Sequence, residues 1–187
     1  MATLFVDKLD PQSGTSLEIG SSGDTVSIGS GVTQTIAVNT PYFFAYRNAS
    51  LSISHATWTT IIFDTAELDT ASGFNTTTGK YIVPSAGKYY FEYAIKAESA
   101  AGDSDAVRLF SYGERNISAT TTWGNSAINF RANYGRGGAI GGSVILNCSA
   151  NDEIFAKMYF QTVLGGNVDV DYGSNRPTYI LGYKLIE

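Results

Sequence analysis

Catalysis by a Ser-His-Asp triad would have to centre on His55, because it is the only histidine in the 187 residues. It stands in the polar run SISHATW, and no nucleophile motif accompanies it. A Ser-His-Asp triad needs an imidazole as its general base, and this position offers no support for one. We interpret His55 as an exposed or hydrogen-bonded loop residue. We expect no enzyme activity.

Asp169 and Asp171, in the run VDVDY, form the second candidate for chemistry. Residues two apart on a strand share a face, so this pair could serve a glycosidase. With Asn167 it could instead hold a hard cation such as Ca²⁺ through oxygen ligands. The plainer interpretation is a solvated face of an edge strand. No EF-hand, zinc or phosphate-loop pattern occurs elsewhere in the sequence. Calcium at this aspartate pair is therefore the one cofactor that we consider.

Arginine and aromatic residues in or beside the expected loops point to recognition rather than catalysis. Such side chains dominate binding hot spots, and aromatic faces suit sugar rings. The candidates for receptor contact are Arg115, Trp123, Arg131, Arg136 and Arg176. Tyr134 and Tyr172 could equally pack in the core or between copies of the chain.

The composition limits the partners. A net charge of −5 argues against nucleic acid, whose binding proteins concentrate Lys and Arg on one face. No apolar run approaches the ~20 residues needed to span a bilayer, so we expect no membrane insertion. The first ten residues lack the pattern of a signal peptide. A single cysteine, Cys148, allows no internal disulfide and fits a reducing cytosol.

The element that best defines the architecture is the run 78–95, TGKYIVPSAGKYYFEYAI. Gly79 can open its first strand at a φ that other residues resist. Pro84 presets a turn, which Gly87 closes. After the turn, apolar and mixed positions alternate with a period of two, which predicts a strand with one core face. The core positions are Tyr89, Phe91, Tyr93 and Ile95.

Strands of this kind recur along the chain, and no convincing helix pattern occurs. Twelve Tyr, ten Phe and twenty Gly fit an all-β protein of about nine or ten strands, a sandwich or jelly roll. Residues 64–78 are expected to form a long loop, and 135–142 a flexible glycine link. Outside the hairpin, the expected strands are 43–47, 58–63, 107–112, 128–134, 143–148, 153–160, 167–172 and 179–186.

The last strand, 179–186, is apolar on both faces. Such a strand is covered on both sides, yet the outer face of a two-layer sandwich normally meets water. We therefore expect another copy of the chain to cover the outer face. The residues placed at that interface are Tyr90, Ile180, Gly182 and Ile186.

Residues 1–40 differ from the rest, with one aromatic residue and many Gly, Ser and Thr. An internal repeat matches 15–23 with 24–32, and a looser third copy follows. So few copies cannot form a solenoid alone, but the same segment from several chains could pack around an axis. A flexible linker is the alternative. We predict a trimerisation stem at 1–40, with Leu17, Ile19, Val26 and Ile28 facing inward, and a head at 41–187.

From residue 43 onward the chain resembles the C1q/tumour-necrosis-factor jelly roll. The pattern TGK-aromatic-x-x-P-x-x-G-x-Tyr-Tyr-Phe carries the resemblance, with FDTAELDTASGFNTTTGK before it. The N-D-E turn before EIFAKMYF and the terminal Gly182-Tyr183 add to it. The resemblance implies a ten-stranded jelly roll, a homotrimer with aromatic residues at its threefold interface, and binding without catalysis. The chain departs from that family in lacking a collagen stem and a disulfide pair.

The first forty residues resemble the necks of bacteriophage tail fibres, through VDKLDPQSG and LEIGSSGDTVSIGSG. Together the two resemblances imply a virion fibre, spike or capsid decoration protein made in the host cytoplasm. Its partners would be its own copies, other virion proteins at the stem, and a host-surface receptor such as a carbohydrate. A secreted or cell-surface C1q-like recognition protein is the alternative. A glycan-degrading tailspike is disfavoured by the missing catalytic constellation.

Overall fold

The computed structural model describes residues 23, 25, 27, 30, 41–99, 106–117, 120–129 and 137–185. The chain divides into two units, Met1–Ile36 and Ala37–Glu187, and every strand reported below lies in the second. The predicted stem positions Leu17, Ile19, Val26 and Ile28 lie outside the described residues, so the stem stays a prediction. The described residues contain no helix that is long and apolar enough to cross a membrane.

The described residues form thirteen strands and no helix, which confirms the all-β prediction. The strands are Tyr42–Tyr46 (β1), Leu51–Ile53 (β2), Thr59–Thr60 (β3), Thr65–Asp69 (β4), Phe74–Asn75 (β5), Lys80–Ile82 (β6), Gly87–Ser99 (β7), Ala106–Asn116 (β8), Thr121–Asn129 (β9), Gly137–Cys148 (β10), Glu153–Thr162 (β11), Val168–Val170 (β12) and Tyr179–Lys184 (β13).

The long strand β7 is the centre of a seven-stranded sheet, which we call sheet A. One edge of β7 pairs with β10, and the other edge pairs with β13 and then β12. Strands β1 and β4 extend the sheet beyond β13, while β2 lies beside β12. Neighbours that are far apart in sequence, such as β7, β13 and β1, are typical of a jelly roll.

The second sheet, sheet B, has six strands in the order β5-β6-β11-β8-β9, with β3 also beside β11. Its long β8–β11 pair is antiparallel, as are the other described strand pairs of both sheets. Inward side chains of the two sheets form the core. The predicted two-layer antiparallel architecture is therefore confirmed.

The core face predicted for β7 is also confirmed. Tyr89, Phe91, Tyr93 and Ile95 are at most 1% exposed. Burying each such side chain stabilises the fold by about 2 kcal/mol. The Tyr93 hydroxyl lies 2.9 Å from Ser111 Oγ and donates to the Gly124 carbonyl oxygen at 2.7 Å. These contacts join sheet A to sheet B across the apolar interior.

The turn that leads into β7 forms near Pro84, but the predicted hairpin does not, because β6 lies in sheet B and β7 in sheet A. Gly79 has a φ of +70°, in the left-handed region that favours glycine. A Cβ there would lie 3.0 Å from Ile62 Cα and nearer still to the Ile61 carbonyl oxygen. At the turn, the Tyr89 hydroxyl donates to the Ser85 carbonyl oxygen at 2.8 Å. This bond holds the turn against the start of β7.

The prediction of a loop over residues 64–78 is wrong, because two strands form there. β4 pairs with β1, and the short β5 pairs with β6. The Asp69 carboxylate accepts the backbone N–H groups of Gly73 and Phe74 at 3.0 and 2.8 Å. A side chain that satisfies turn amides in this way allows the chain to reverse tightly between two strands.

The glycine-rich run 135–142 is likewise not a flexible link throughout, because β10 begins at Gly137. A Cβ on Gly142 would lie 2.6 Å from the Gly124 carbonyl oxygen, so β10 and β9 approach each other where neither has a side chain. These glycines permit a close backbone contact between strands. Their composition alone resembles that of a loop, and the prediction failed for that reason.

Several predicted strands differ in extent from the observed ones. Of residues 58–63, Thr59 and Thr60 form the strand beside β11, and the Ile61 N–H also donates to the Ala156 carbonyl oxygen at 2.9 Å. Ile61 and Phe63 are fully buried. The strand expected at 128–134 begins earlier, since β9 runs over Thr121–Asn129. The rest of that prediction lies outside the described residues.

The two faces of the last strand are interchanged relative to the prediction. Ile180 pairs with Tyr93 and Gly182 with Phe91, and directly paired residues point to the same side of a sheet. Ile180 and Gly182 therefore face the core, where Ile180 is 0% exposed. They cannot lie at the predicted outer interface. Ile186 lies outside the described residues.

Candidate functional site

The outward side of sheet A carries apolar side chains in rows that cross the strands. In one row, Tyr183 pairs with Tyr42 on one side and with Tyr90 on the other. Tyr90 in turn pairs with Ile145. We call this surface the aromatic face, which consists of Tyr42, Phe44, Tyr46, Leu68, Tyr90, Ile145, Tyr179, Leu181 and Tyr183.

The aromatic face is packed within itself yet open to solvent. The rings of Tyr90 and Tyr183 are 5.2 Å apart, and those of Phe44 and Tyr179 are 5.9 Å apart. Leu68 keeps 48% of its surface exposed beside an open groove of about 440 Å³. A contiguous apolar patch of this kind marks an interaction site.

An acidic side chain, Glu92, lies on the same side of the sheet, two residues after Tyr90 on β7 and paired with Leu181. Its carboxylate accepts hydrogen bonds from the hydroxyls of Tyr90 at 2.7 Å and Tyr179 at 2.6 Å. Burial raises the pKa of Tyr179 to about 12, and the bond to Glu92 acts in the same direction. The bond to Glu92 is the main cause that raises the pKa of Tyr90. Both carboxylate oxygens thus have donors, as a charge in a covered apolar surface needs.

Arg176 lies beside the aromatic face rather than apart from it. Its guanidinium is 5.2 Å from the ring centre of Tyr46 and 5.7 Å from that of Phe44. It also forms an ion pair with Glu67. The cation is therefore held by two rings and a carboxylate, and its predicted contact with a receptor stays a prediction.

A second aromatic surface lies on the outward side of sheet B. Trp58, just before β3, is 45% exposed. Its ring centre is 4.7 Å from Tyr112 and 5.6 Å from Tyr159, and Tyr159 is 5.9 Å from Phe110. The exposed Arg108 borders the same rings. We call Trp58, Arg108, Phe110, Tyr112 and Tyr159 the Trp58 platform.

Trp123, predicted to lie in or beside a loop and to contact a receptor, is a core residue of β9 and only 5% exposed. Its ring meets that of Tyr93 edge-on at 5.3 Å, and it lies directly against Gly113. The placement of Trp123 at a receptor surface is therefore wrong.

The other predicted receptor residues are arginines. Arg115 donates to the Asn147 carbonyl oxygen and to Thr121 Oγ1. Its receptor role stays a prediction. Arg131, Tyr134 and Arg136 lie outside the described residues.

One of the two aspartates predicted to bind a cation already contacts a lysine. Asp171 forms an ion pair with Lys96, and Asp169 is exposed and paired with Ser52 of β2. Among the described residues, no three His, Cys, Asp or Glu side chains are grouped. Calcium takes six to eight oxygen ligands, and the pair alone supplies few of them. Binding of Ca²⁺ at Asp169 and Asp171 stays a prediction. The neighbouring Tyr172 is half exposed.

His55 is hydrogen-bonded, as the sequence predicted. The Thr162 backbone N–H donates to His55 Nδ1 at 3.2 Å, and Thr162 Oγ1 lies 3.3 Å from the same nitrogen. Thr162 is only 2% exposed, so its hydroxyl is not open to a substrate. The imidazole therefore ties the loop after β2 to the end of β11.

Sequence reasoning missed the Trp58 platform, although a signal was present. In β8, Leu109 and Ser111 face the core, so the alternate residues Phe110 and Tyr112 must face outward. In β11 the same rule turns Tyr159 outward between two buried neighbours. Outward aromatic side chains on two paired strands would have indicated a binding surface.

The fold and these surfaces define an antiparallel jelly-roll sandwich with large aromatic surfaces on both outer sides. The C1q domain family matches residues 42–172, more than half of the chain, and this chain belongs to that family.

Solved structures share the fold. The globular domain of zebrafish complement 1qA protein is 14% identical, with a TM-score of 0.56 over 79% of this chain and 99% of that one. Eiger TNF from S. frugiperda is 15% identical, with a TM-score of 0.57 over 78% and 92%. Murine APRIL is 11% identical, with a TM-score of 0.57 over 77% and 98%. At these identities the likeness concerns the fold alone.

Proposed function

We propose that this chain is a non-enzymatic recognition protein that assembles as a homotrimer through the aromatic face. The observation that carries the proposal is the contiguous apolar surface on the outward side of sheet A. Tyr42 and Ile145, at opposite ends of one row, are 38% and 59% exposed in a single chain. Membership in the C1q domain family supports a trimer as the form that covers this surface.

Light scattering of the purified protein tests the assembly. The expected mass is three times that of the 20.0 kDa chain at micromolar concentration. A monomer at that concentration would refute the assembly, because the aromatic face would then be stable in contact with water.

The finer role that we propose is on a virion, as a fibre, spike or decoration protein that attaches to a host surface. Its support is the resemblance of residues 1–40 to tail-fibre necks. Those residues would join the head to other virion proteins, and three heads on one stem would bind a receptor multivalently. Antibodies raised against the head should then label purified virions in electron micrographs, and unlabelled virions would contradict this role.

A secreted or cell-surface recognition protein is the second candidate. Its support is the likeness to zebrafish complement 1qA protein and to Eiger TNF over most of residues 41–187. Finding the protein in the culture medium or on the cell surface, and not on particles, would favour it. Membership in the C1q domain family is compatible with both candidate roles and does not distinguish them.

Two minor proposals need tests of their own. A glycan-degrading activity would release reducing ends from host polysaccharide, and we expect none.

Binding of Ca²⁺ at Asp169 and Asp171 would raise the melting temperature of the protein above its value in the presence of a chelator. Asp169→Asn should abolish that rise if the ion is bound there, and an equal rise in the variant would exclude the site.

A further inference from the structure

We propose that the Trp58 platform is a saccharide-binding site whose ligand is a carboxylated sugar, such as a uronic acid within a polysaccharide. This inference rests on the proposed recognition function and gives it a site and a ligand class. It does not depend on the virion role.

The platform holds an exposed indole in a fixed position. Trp58 is 45% exposed although tryptophan is usually well covered in a folded chain. The rings of Tyr112 and Tyr159 contact it from sheet B at 4.7 and 5.6 Å. Both tyrosines are themselves half-buried in long central strands. The indole is therefore supported by rigid elements, and its ordering costs little when a ligand binds.

Open grooves lie on two sides of the indole. One groove, of about 240 Å³, is lined by Trp58, Phe110 and Tyr112 together with the polar residues Asn125 and Ser126. The other, of about 260 Å³, lies among Trp58, Arg108, Phe110 and Tyr159. Trp58 and Phe110 line both grooves, so successive sugar units of one oligosaccharide could occupy the two grooves. Each groove is smaller than a usual drug-sized pocket.

This shape fits a sugar better than a peptide. A pyranose presents a face of C–H groups that packs flat on an aromatic ring, while its hydroxyls point to the rim. Here aromatic rings form the floor, and the exposed Asn125 offers an amide group at one edge. A peptide anchor would instead need a deep pocket for a large apolar side chain.

The charges select an acidic sugar. Lys157, next to the platform, is 3.0 Å from Glu114 and is thereby neutralised. Arg108 is exposed, and among the described residues no ion pair or hydrogen bond engages its guanidinium. It borders the second groove beside Trp58 and Tyr159. A guanidinium forms paired hydrogen bonds with a carboxylate, so a uronic acid ring on Trp58 would complete its contacts.

The probes are a tetrasaccharide of uronic acid and the same tetrasaccharide with its carboxyl groups reduced to alcohols. Calorimetric titration of the wild-type protein should give binding of the acidic probe at least tenfold tighter than that of the reduced probe. Higher salt should weaken the acidic probe selectively. Equal binding of both probes, or binding of neither at millimolar concentration, would overturn the proposal.

Variants locate the site. Trp58→Ala should weaken both probes at least tenfold, while Trp58→Phe should retain much of the binding. Arg108→Gln should remove the preference for the acidic probe and leave the reduced probe unchanged. Lys80→Gln is the matched control, because it removes a positive charge from sheet B outside the platform, where Lys80 is paired with Glu153. Unchanged binding by Trp58→Ala, with its melting curve intact, would refute the site.

The same samples separate this proposal from the proposed assembly. A trimer that binds neither probe would refute the saccharide site and leave the assembly intact. A monomer that binds the acidic probe through Trp58 would refute the assembly and leave the site intact. Binding of an apolar peptide at Trp58, without sugar binding, would replace the ligand class proposed here.

Discussion

Replacing Tyr90 with glutamate is the sharpest test of the aromatic face. Tyr90 lies near the middle of that face, between Tyr183 and Ile145. Tyr90→Glu places a second carboxylate two residues from Glu92 on the same side of β7. Positions two apart on a strand are about 7 Å apart. The new charge would therefore face an existing one on a surface that we expect to be covered by other copies.

The size of the effect follows from that distance. Two charges about 7 Å apart repel by about 0.6 kcal/mol in water and about 2.4 kcal/mol at an effective dielectric constant of about 20. Covering the face thus adds about 2 kcal/mol of repulsion per chain, or about 6 kcal/mol for three chains. At 1.4 kcal/mol per factor of ten, this is about a 10⁴-fold weaker assembly constant. Because three chains combine, the midpoint concentration should rise by about its square root, one hundredfold.

Analytical ultracentrifugation over a dilution series measures that midpoint. Tyr90→Phe should raise it far less than Tyr90→Glu, since the ring remains, no charge is added and Glu92 keeps the Tyr179 hydroxyl as a donor. Trp58→Glu is the matched control, because it adds the same charge to an exposed aromatic position on the opposite sheet. If Tyr90→Glu keeps the wild-type midpoint while its melting curve is intact, the aromatic face is not the assembly surface. An equal effect of Trp58→Glu would also contradict it.

Three further predictions concern packing and titration. Gly182→Val should lower the free energy of unfolding by about 2 kcal/mol, because a Cβ there would lie 2.8 Å from Phe43 Cε1 and nearer still to Phe91; an unchanged urea midpoint would contradict this packing. Burial raises the pKa of Tyr93 and Tyr179 to about 12. Unfolded tyrosines ionise near pH 10, so stability should be constant below about pH 10 and fall between about 10 and 12. Tyrosinate absorbance and denaturation against pH measure this, and a native protein whose tyrosines all titrate near 10 would refute it. Burial also raises the pKa of the Cys148 thiol to about 11. At pH 8 its alkylation by iodoacetamide should therefore be at least about tenfold slower in the folded than in the unfolded protein, and equal rates would show an accessible thiolate.

The turn between β6 and β7 was predictable because its residues restrict the chain locally, whereas the crossing of the chain from sheet B to sheet A at that turn has no local signature. Gly79 and Pro84 fix the backbone, and the alternation from Tyr89 to Ile95 fixes the buried side. Local chemistry and the hydrophobic pattern agree there. The C1q pattern lies in the same run, so the fold could be inferred from it.

The orientation of β13 could not be predicted in the same way. Both of its faces are apolar, so the alternation does not distinguish the core side from the outer side. The deciding feature is the packing of Gly182 against Phe43 and Phe91, since the missing side chain makes room for two rings. That contact joins residues from three strands and has no signature within β13 itself.

The Trp58 platform shows a second limit of sequence reasoning. Trp58 and Tyr159 are about a hundred residues apart, and only the pairing of β3 and β11 brings them together. In contrast, the predicted receptor residue Trp123 is large and aromatic but buried. Residue type alone did not show which of the two tryptophans is exposed and which is buried. Strand alternation could have shown that Phe110 and Tyr112 face outward while Leu109 faces the core.

The pairing of β8 with β11 has a consequence for engineering. Their inward residues, such as Leu109 and Met158, belong to the core, while Phe110, Tyr112 and Tyr159 point away from it. The aromatic face is on the other sheet, so these outward positions can vary without touching either the core or the assembly surface. A display library randomised at those positions should yield folded members at high frequency. The domain would then serve as a disulfide-free scaffold for selecting new binders, presented in several copies at once.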